Sequence, residues 1–485
     1  MAPNMMQTQL FINNEYIDAK SGETITIYNP ADDTVVTDQI QIAGEQDVDA
    51  AVDAATAAYK TGPWSKFTGA QRAACMLKFA ELVEKNVDDI AHLESISMGM
   101  PFSVAKIMIS GGANCFKYYA GWADKIAGDT YPADDGFYKI VQYEPLGVCA
   151  GLSAWNATML TLAWKIAPAL AAGNTYIFKS SEKAPVAALA LGALFKEAGF
   201  PPGVVNLVSG AGKTGALLAS HMKIAKISFT GSATTGRRVQ DAATKSNLKR
   251  CTLELGGKSP ALVFDDANIP NAVAYCSQGF LVNTGQVCAA ASRTFVHESI
   301  AEKFIEALKS AYEAAGANLG ADPRKPDTAL GPIVDKIQFD SVMSYIESGK
   351  READLLVGGA RAGEKGNFIL PTIFANPKEG AKIYEEEIFG PVMTIKTFKT
   401  EEEAIEMANK TTYGLSSTLY TNSVSRALRV AGKLEAGTVA VNSSFMPSNQ
   451  VPFGGYKMSG NGRELGEAGL KAYLETKSIL INMAA

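Results

Sequence analysis

The sequence predicts an α/β chain: a doubly wound parallel sheet, a second α/β unit after it, and a small β element outside both. Three observations carry this. The 485 residues exceed the size that one hydrophobic core serves, so more than one packed unit is expected. Hydrophobic residues at 47% and charged residues at 20% are ordinary for a compact globular chain. From about residue 146, short apolar β-branched runs alternate with longer amphipathic segments, the pattern of βαβ units.

Taken in order, a hairpin is expected near 10–40. "EQDVDAAVDAATAAYKT" and "AQRAACMLKFAELVEKNVDDIAHLESIS" then show helical periodicity with charged outer faces, as covering helices do. "FYKIVQYEPLG" (137–147) and the tail "TKSILINMA" (476–484) read as strands that could pair with each other or with another subunit. Between them, "GVCAGLS", "TYIFKS", "VVNLVS", "KISFTG" and "CTLELGG" read as strands. Helices separate these strands: "TMLTLAWKIAPALAAG" closed by Gly173, then 185–199, 212–220 and 234–245. A second series opens with "PALVFDD", continues through a helix near 270–283 and "RTFVHE", and runs to about 455.

A net charge of −5 gives no basic footprint for nucleic acid or an anionic membrane, so small molecules are the expected partners. No targeting pattern or membrane-length apolar stretch stands out, which makes the cytoplasm the expected compartment. The six cysteines form no Cys-x-x-Cys pair and the three histidines, His92, His221 and His297, stand far apart; no metal is expected.

Several stretches bear on ligands. "GAGKTG" (210–215) fits Gly-x-Gly-x-x-Gly but is no P-loop, since Leu207 stands where the first glycine should. Either a tight turn or a phosphate cradle suits it. "KISFTGSATTGRR" (226–238) empties a strand through Ser232 into a helix whose first turn offers free N–H groups to an anion; a plain Ser N-cap is the alternative. In "FKSSE", Lys179 and Glu182 could both reach a ribose diol or form a surface ion pair. In "NTGQVCAAASR" (283–293), Cys288 is either an inert buried thiol or a nucleophile in a strained loop whose N–H groups lower its pKa. Glu254, in "TLELGGKS", is placed at a strand end to act as a base.

These stretches together resemble the aldehyde dehydrogenase superfamily over nearly the whole chain. The motifs are "WKIAPALAAGN" (164–174), "ISFTGSATTGR" (227–237), "LELGGKSP" (253–260), "GQVCAAASR" (285–293), "EEIFGPV" (386–392) and "PFGGYKMSGNGRELG" (452–466). The resemblance implies NAD(P)-dependent oxidation of an aldehyde to the acid, with Cys288 as nucleophile, Glu254 as general base and Asn156 as an oxyanion-hole amide. It implies cofactor contacts from Trp155, Lys179, Glu182, Gly212, Ser232, Glu387 and Phe389. Glu182 would repel a 2′-phosphate, favouring NAD over NADP. Glu254 marks a hydrolysing rather than a CoA-acylating enzyme, and Glu464 matches a position given either a proton-relay or a structural role. The implied organisation is a Rossmann-like NAD-binding domain (1–124 and 148–256), a catalytic α/β domain (257–456) and a β oligomerisation element (125–147 and 470–485) of a homodimer or homotetramer.

The chain departs from the pattern around the substrate. Ala154-Trp155-Asn156-Ala157-Thr158 stands for the usual Pro-Trp-Asn-aromatic-Pro, Ala440 for Trp, and Gly111-Gly112 interrupts a presumed helix. Either the glycines make room or they end or kink the helix. If these positions face one cavity, a bulky or long apolar aldehyde is expected, lined by Gly111, Ala157, Leu160, Val287, Ala289, Phe445 and Met446. A cofactor-free thiol hydrolase and a binding protein that has lost catalysis are the alternative readings.

Overall fold

The structure is a computed structural model that describes residues 5–484. Five parallel strands form the centre of an eight-stranded sheet, in the order Arg250–Glu254, Lys226–Thr230, Val148–Leu152, Thr175–Lys179, Val205–Val208. Most of their residues are buried because helices cover both faces, which is why they read as continuous apolar runs. The chain winds outward from Val148–Leu152 in one direction and then returns to its other side at Lys226–Thr230. The crevice beyond the carboxyl ends of those two strands is therefore the topological switch point. Leu10–Ile12 with Glu15–Ile17, and Gly460–Asn461, add antiparallel strands at the two edges.

The second sheet has seven strands, ordered Asp354–Val357, Thr372–Ala375, Val392–Phe398, Arg293–His297, Pro260–Val263, Ser416–Tyr420, Thr438–Val441. All neighbours are parallel except the first pair. A three-stranded sheet joins Phe137–Pro145 to Leu474–Asn482 and Asp129–Tyr131, so the two expected strands pair within this chain.

One expectation is corrected. The single hairpin near 10–40 is two: Leu10–Ile12 with Glu15–Ile17, and a separate Thr24–Tyr28 with Val35–Gln41. The helix expected near 270–283 runs over 269–281 and widens to a π turn at Tyr275–Gly279; just beyond it Asn283, Thr284 and Gly285 turn left-handed and re-aim the chain ahead of Cys288.

Gly111 and Gly112 neither end nor kink their helix, which runs unbroken over Phe102–Ala120. A Cβ at Gly112 would lie 2.8 Å from Met159 Cγ, and one at Gly111 3.2 Å from Leu160 Cδ1. The missing side chains let this helix approach Thr158–Ala171, and Met159 and Leu160 occupy the room.

Candidate active site

Cys288 follows a loop in which Asn283, Thr284 and Gly285 all have left-handed backbone (φ 50°, 57° and 71°). For a β-branched threonine this is strained, and the surroundings must hold it. Thr284 Oγ1 donates to the Gly331 carbonyl at 2.7 Å, Gln286 Nε2 donates to the Asn283 carbonyl at 3.0 Å, and Val334 N donates to Gln286 Oε1 at 3.0 Å. A Cβ at Gly285 would stand 2.4 Å from the Gly390 carbonyl oxygen, so only glycine passes there. Gly257 is equally constrained, its absent Cβ falling 2.4 Å from the Cys288 carbonyl oxygen.

Asn156 is stitched to the same loop. Its Nδ2 donates to the Gln286 carbonyl at 3.1 Å, and its own carbonyl accepts from Asn283 Nδ2 at 3.2 Å. One amide hydrogen of Nδ2 remains for a ligand oxygen. Glu254 closes its strand with a carboxyl only 2% exposed and without a hydrogen-bond partner. A Cβ at Gly454 would lie 2.8 Å from its Oε1. Burial holds this carboxyl well above the usual carboxylate range, and the Glu464 carboxylate adds to the effect. Glu387 accepts from the Gly257 N–H at 3.0 Å, and burial raises it to about 7.

Cys288, Asn156, Trp155, Ser232, Glu254, Glu387 and Phe389 line one cavity of about 250 Å³. Phe389 has φ 57° and packs edge-on against Trp155, ring centroids 5.2 Å apart. Trp155, Ser232, Lys179, Glu182 and Gly212 line an adjoining cleft of about 650 Å³ at the switch point. Two helices, Gly212–Ser220 and Ala233–Lys245, open their amino ends onto it. A Cβ at Gly212 would meet nothing within 4 Å, and Ser232 caps its own helix by accepting from Thr235 N. Lys179 Nζ, buried and lowered in pKa by desolvation, stands 3.5 Å from the more exposed Glu182 carboxylate. Paired helix ends offer N–H groups to an anion, and a carboxylate beside an ammonium suits a diol. The residues present fit a dinucleotide.

The thiol is not acidified. Burial pushes Cys288 up to about 12, and the Glu387 and Glu254 carboxyls add to this; the N–H groups of Ala289 and Cys288 act in the expected opposite direction and are outweighed. Of the expected pocket residues, Leu160 and Ala289 are buried in the core against which Trp155, Ala157, Cys288 and Phe445 pack. Phe445 packs tilted against Phe453 with ring centroids 5.0 Å apart, Val287 is half-buried, and Met446 is 73% exposed, away from that core. Glu464 is engaged by Lys165, whose ammonium donates to its Oε1 at 2.5 Å and to Thr230 Oγ1 at 2.6 Å. In the sequence Lys165 is marked only by being a lone lysine in the otherwise apolar "TLAWKIAPALA".

No helix among the described residues is long and apolar enough to cross a membrane. The Aldehyde dehydrogenase family model matches residues 16–479. An aldehyde dehydrogenase of Davidiella tassiana is 48% identical over 98% of this chain and 95% of its own length. Human retinal dehydrogenase 2 is 46% identical over 98% of this chain and 92% of its own. The NAD+ complex of an aldehyde dehydrogenase from Bacillus cereus superimposes with a TM-score of 0.95 at 40% identity, covering 98% of this chain and 97% of that one. With a cysteine, a buried carboxyl and an amide around one cavity, a dinucleotide-shaped cleft beside it, and these relatives over nearly the full length, the chain belongs to the aldehyde dehydrogenase family and is an enzyme of aldehyde oxidation.

Proposed function

We propose that the chain oxidises a bulky or long apolar aldehyde to its carboxylic acid with NAD, through a thioester on Cys288. The observation that carries this reading is the cavity shared by Cys288, Asn156, Glu254, Glu387 and Phe389, adjoining the cleft at the switch point. Glu254, in its ionised form, takes the thiol proton as the sulfur adds to the carbonyl carbon and passes it to solvent, and the carbonyl oxygen becomes an oxyanion that the free N–H of Asn156 Nδ2 and the Cys288 backbone N–H stabilise. NAD, when bound, supplies the hydride acceptor. After oxidation the acyl group is a thioester on Sγ. Glu254 then takes a proton from water, which attacks the thioester carbon, releases the acid and returns the thiol.

The pyrophosphate would rest on the helix ends at Gly212 and Ser232, the adenosine ribose on Lys179 and Glu182, and the nicotinamide ribose and ring on Glu387 and Phe389, with Trp155 walling the cleft. A Glu182 carboxylate at the ribose diol disfavours the 2′-phosphate of NADP. For the substrate, Ala157 and Ala440 are small, and human retinal dehydrogenase 2, named for a long apolar aldehyde, is among the relatives. The reading also assigns 1–124 with 148–256 to cofactor binding, 257–456 to catalysis, and 125–147 with 470–485 to contacts between copies in a cytoplasmic homo-oligomer. Exposed Phe137, Leu480 and Ile481 on the three-stranded sheet support the last assignment.

NADH formation across acetaldehyde, aromatic and long-chain aldehydes tests the proposal. Turnover with NAD is expected, with higher kcat/KM for the larger aldehydes, and Cys288→Ala should cost at least about a thousandfold. An alanine variant that still oxidises aldehyde removes the thioester route. A preference for acetaldehyde removes the enlarged pocket alone.

A further inference from the structure

Two residues outside the chemistry above meet across the two halves of the molecule, one half built on the eight-stranded sheet and the other on the seven-stranded sheet. Lys183 lies in the turn between the strand Thr175–Lys179 and the helix Val186–Glu197, one residue after Glu182, and lines the cleft at the switch point. Its Nζ stands 2.7 Å from Asp335 Oδ2 and 5.8 Å from the centre of the Trp155 ring. Asp335 belongs to the second half, as the N-cap of the helix Lys336–Glu352, and its Oδ1 accepts from Gln338 N at 2.8 Å. Gln338 Nε2 in turn donates to the carbonyls of Ile388 and Phe389 at 3.1 and 3.2 Å, and the Phe389 ring closes the circuit edge-on against Trp155. The segment just before Asp335 holds the cysteine loop, through the Gly331 carbonyl and Val334 N.

We infer that Lys183 is a positioning residue for the cofactor: paired with Asp335, it straps the two walls of the dinucleotide cleft together where that cleft meets the cysteine cavity, and so slows departure of the dinucleotide. This rests on the NAD placement proposed above. Trp155 and Ser232 line both cavities, whereas Gln338 and Phe389 line the inner one from the opposite half. A dinucleotide that reaches from Glu182 to Phe389 therefore passes between walls carried by different halves, and parting those walls stretches the Lys183–Asp335 pair. An ordinary surface ion pair contributes little because two mobile side chains must be ordered to form it. Here the Asp335 carboxylate is already oriented by the helix it caps, and the Lys183 side chain is 21% exposed. Both side chains keep contact with water, so the strap weakens in salt and remains able to open.

The test follows NADH fluorescence on the full-length enzyme, by equilibrium titration and by stopped-flow displacement with excess NAD. Lys183→Met and Asp335→Asn should each speed NADH release by about fivefold, with the association rate within about twofold of the parent; asparagine keeps the capping oxygen. The double variant should release NADH no more than about twofold faster than either single one. Lys183→Arg should stay within about twofold of the parent, since a guanidinium meets both a carboxylate and an indole face. Raising NaCl from about 0.05 to about 0.5 M should speed release more in the parent than in Lys183→Met. An unchanged release rate in Asp335→Asn beside a faster one in Lys183→Met shows a lysine that touches the dinucleotide itself, and overturns the strap. Fully additive gains in the double variant, or no change in either single one, overturn it too. A parent that binds no NADH overturns the cofactor placement and, with it, this inference.

Discussion

At rest the sulfur of Cys288 holds its proton. Desolvation is the larger cause, and the neighbouring Glu387 and Glu254 carboxyls reinforce it, to about 12. Because the thiolate is the reactive form, alkylation of the cofactor-free enzyme by iodoacetamide should accelerate by roughly tenfold per pH unit from pH 7 to 10 without levelling. A plateau near pH 8.5 would show an ordinary thiol. Glu387→Gln removes one of the two carboxyls, so its alkylation should be faster at any fixed pH. The local sequence suggested a strained loop with N–H groups near the sulfur, and the left-handed run Asn283–Gly285 is that loop. It could not reveal the sign of the shift. Burial and the approach of Glu387 from a distant segment are tertiary facts, and both oppose what the loop alone would do.

At the level of elements, the contact between Phe102–Ala120 and Thr158–Ala171 separates two glycines that the sequence treats alike. In Gly111→Ala the new methyl would meet only the mobile tip of Leu160 at 3.2 Å, so the gain in helix propensity should prevail and stabilise by about 0.5 kcal/mol. In Gly112→Ala it would meet Met159 Cγ at 2.8 Å and the Met159 carbonyl oxygen at 3.0 Å, so overpacking should exceed that gain and destabilise by about 1–2 kcal/mol. Urea unfolding midpoints would rank the two variants, and equal shifts would show that the helix contact does not discriminate. Here the sequence left two readings open, room for substrate or a broken helix. The helix is unbroken, and at Gly112 close packing on Met159 takes up the room, because which helix crosses a glycine is set by topology. The parallel strands were legible, since burial on both faces makes their middles apolar, as in Val148–Leu152 and the Tyr176, Ile177 and Phe178 of Thr175–Lys179. The helix near 270–283 was legible as well, but its π turn at Tyr275–Gly279 and the left-handed residues that follow were not, because apolar spacing does not register either.

Across the whole molecule, buried ionisable groups of both signs shape the dependence of stability on pH. Burial raises Glu387 to about 7 and Glu94 to about 8, against the ordinary value of 4.5. Between 4.5 and those values the folded state keeps protons that the unfolded chain releases, so stability falls as pH rises, by at most ~1.4 kcal/mol per unit for each group. Lys258 and Lys226 do the reverse: burial lowers them to about 7 and about 8 from 10.5, so above those values the folded state is neutral where the unfolded chain still binds a proton. Their effect is that stability rises with pH from there towards 10.5. The two limbs meet near neutrality, where the melting temperature should pass through a minimum. Scanning calorimetry at about pH 5.5, 7.5 and 8.5 would show it, a range kept below the ordinary thiol value of 9.0 because burial raises all six cysteines and turns stability down again above it. A melting temperature that only falls or only rises across the three would contradict it. Glu94→Gln should flatten the acid limb and leave the alkaline limb in place, while Lys226→Met should do the opposite. The carboxyls and the lysines act on separate limbs because each shift comes chiefly from its own desolvation, with charge–charge terms smaller in all four groups.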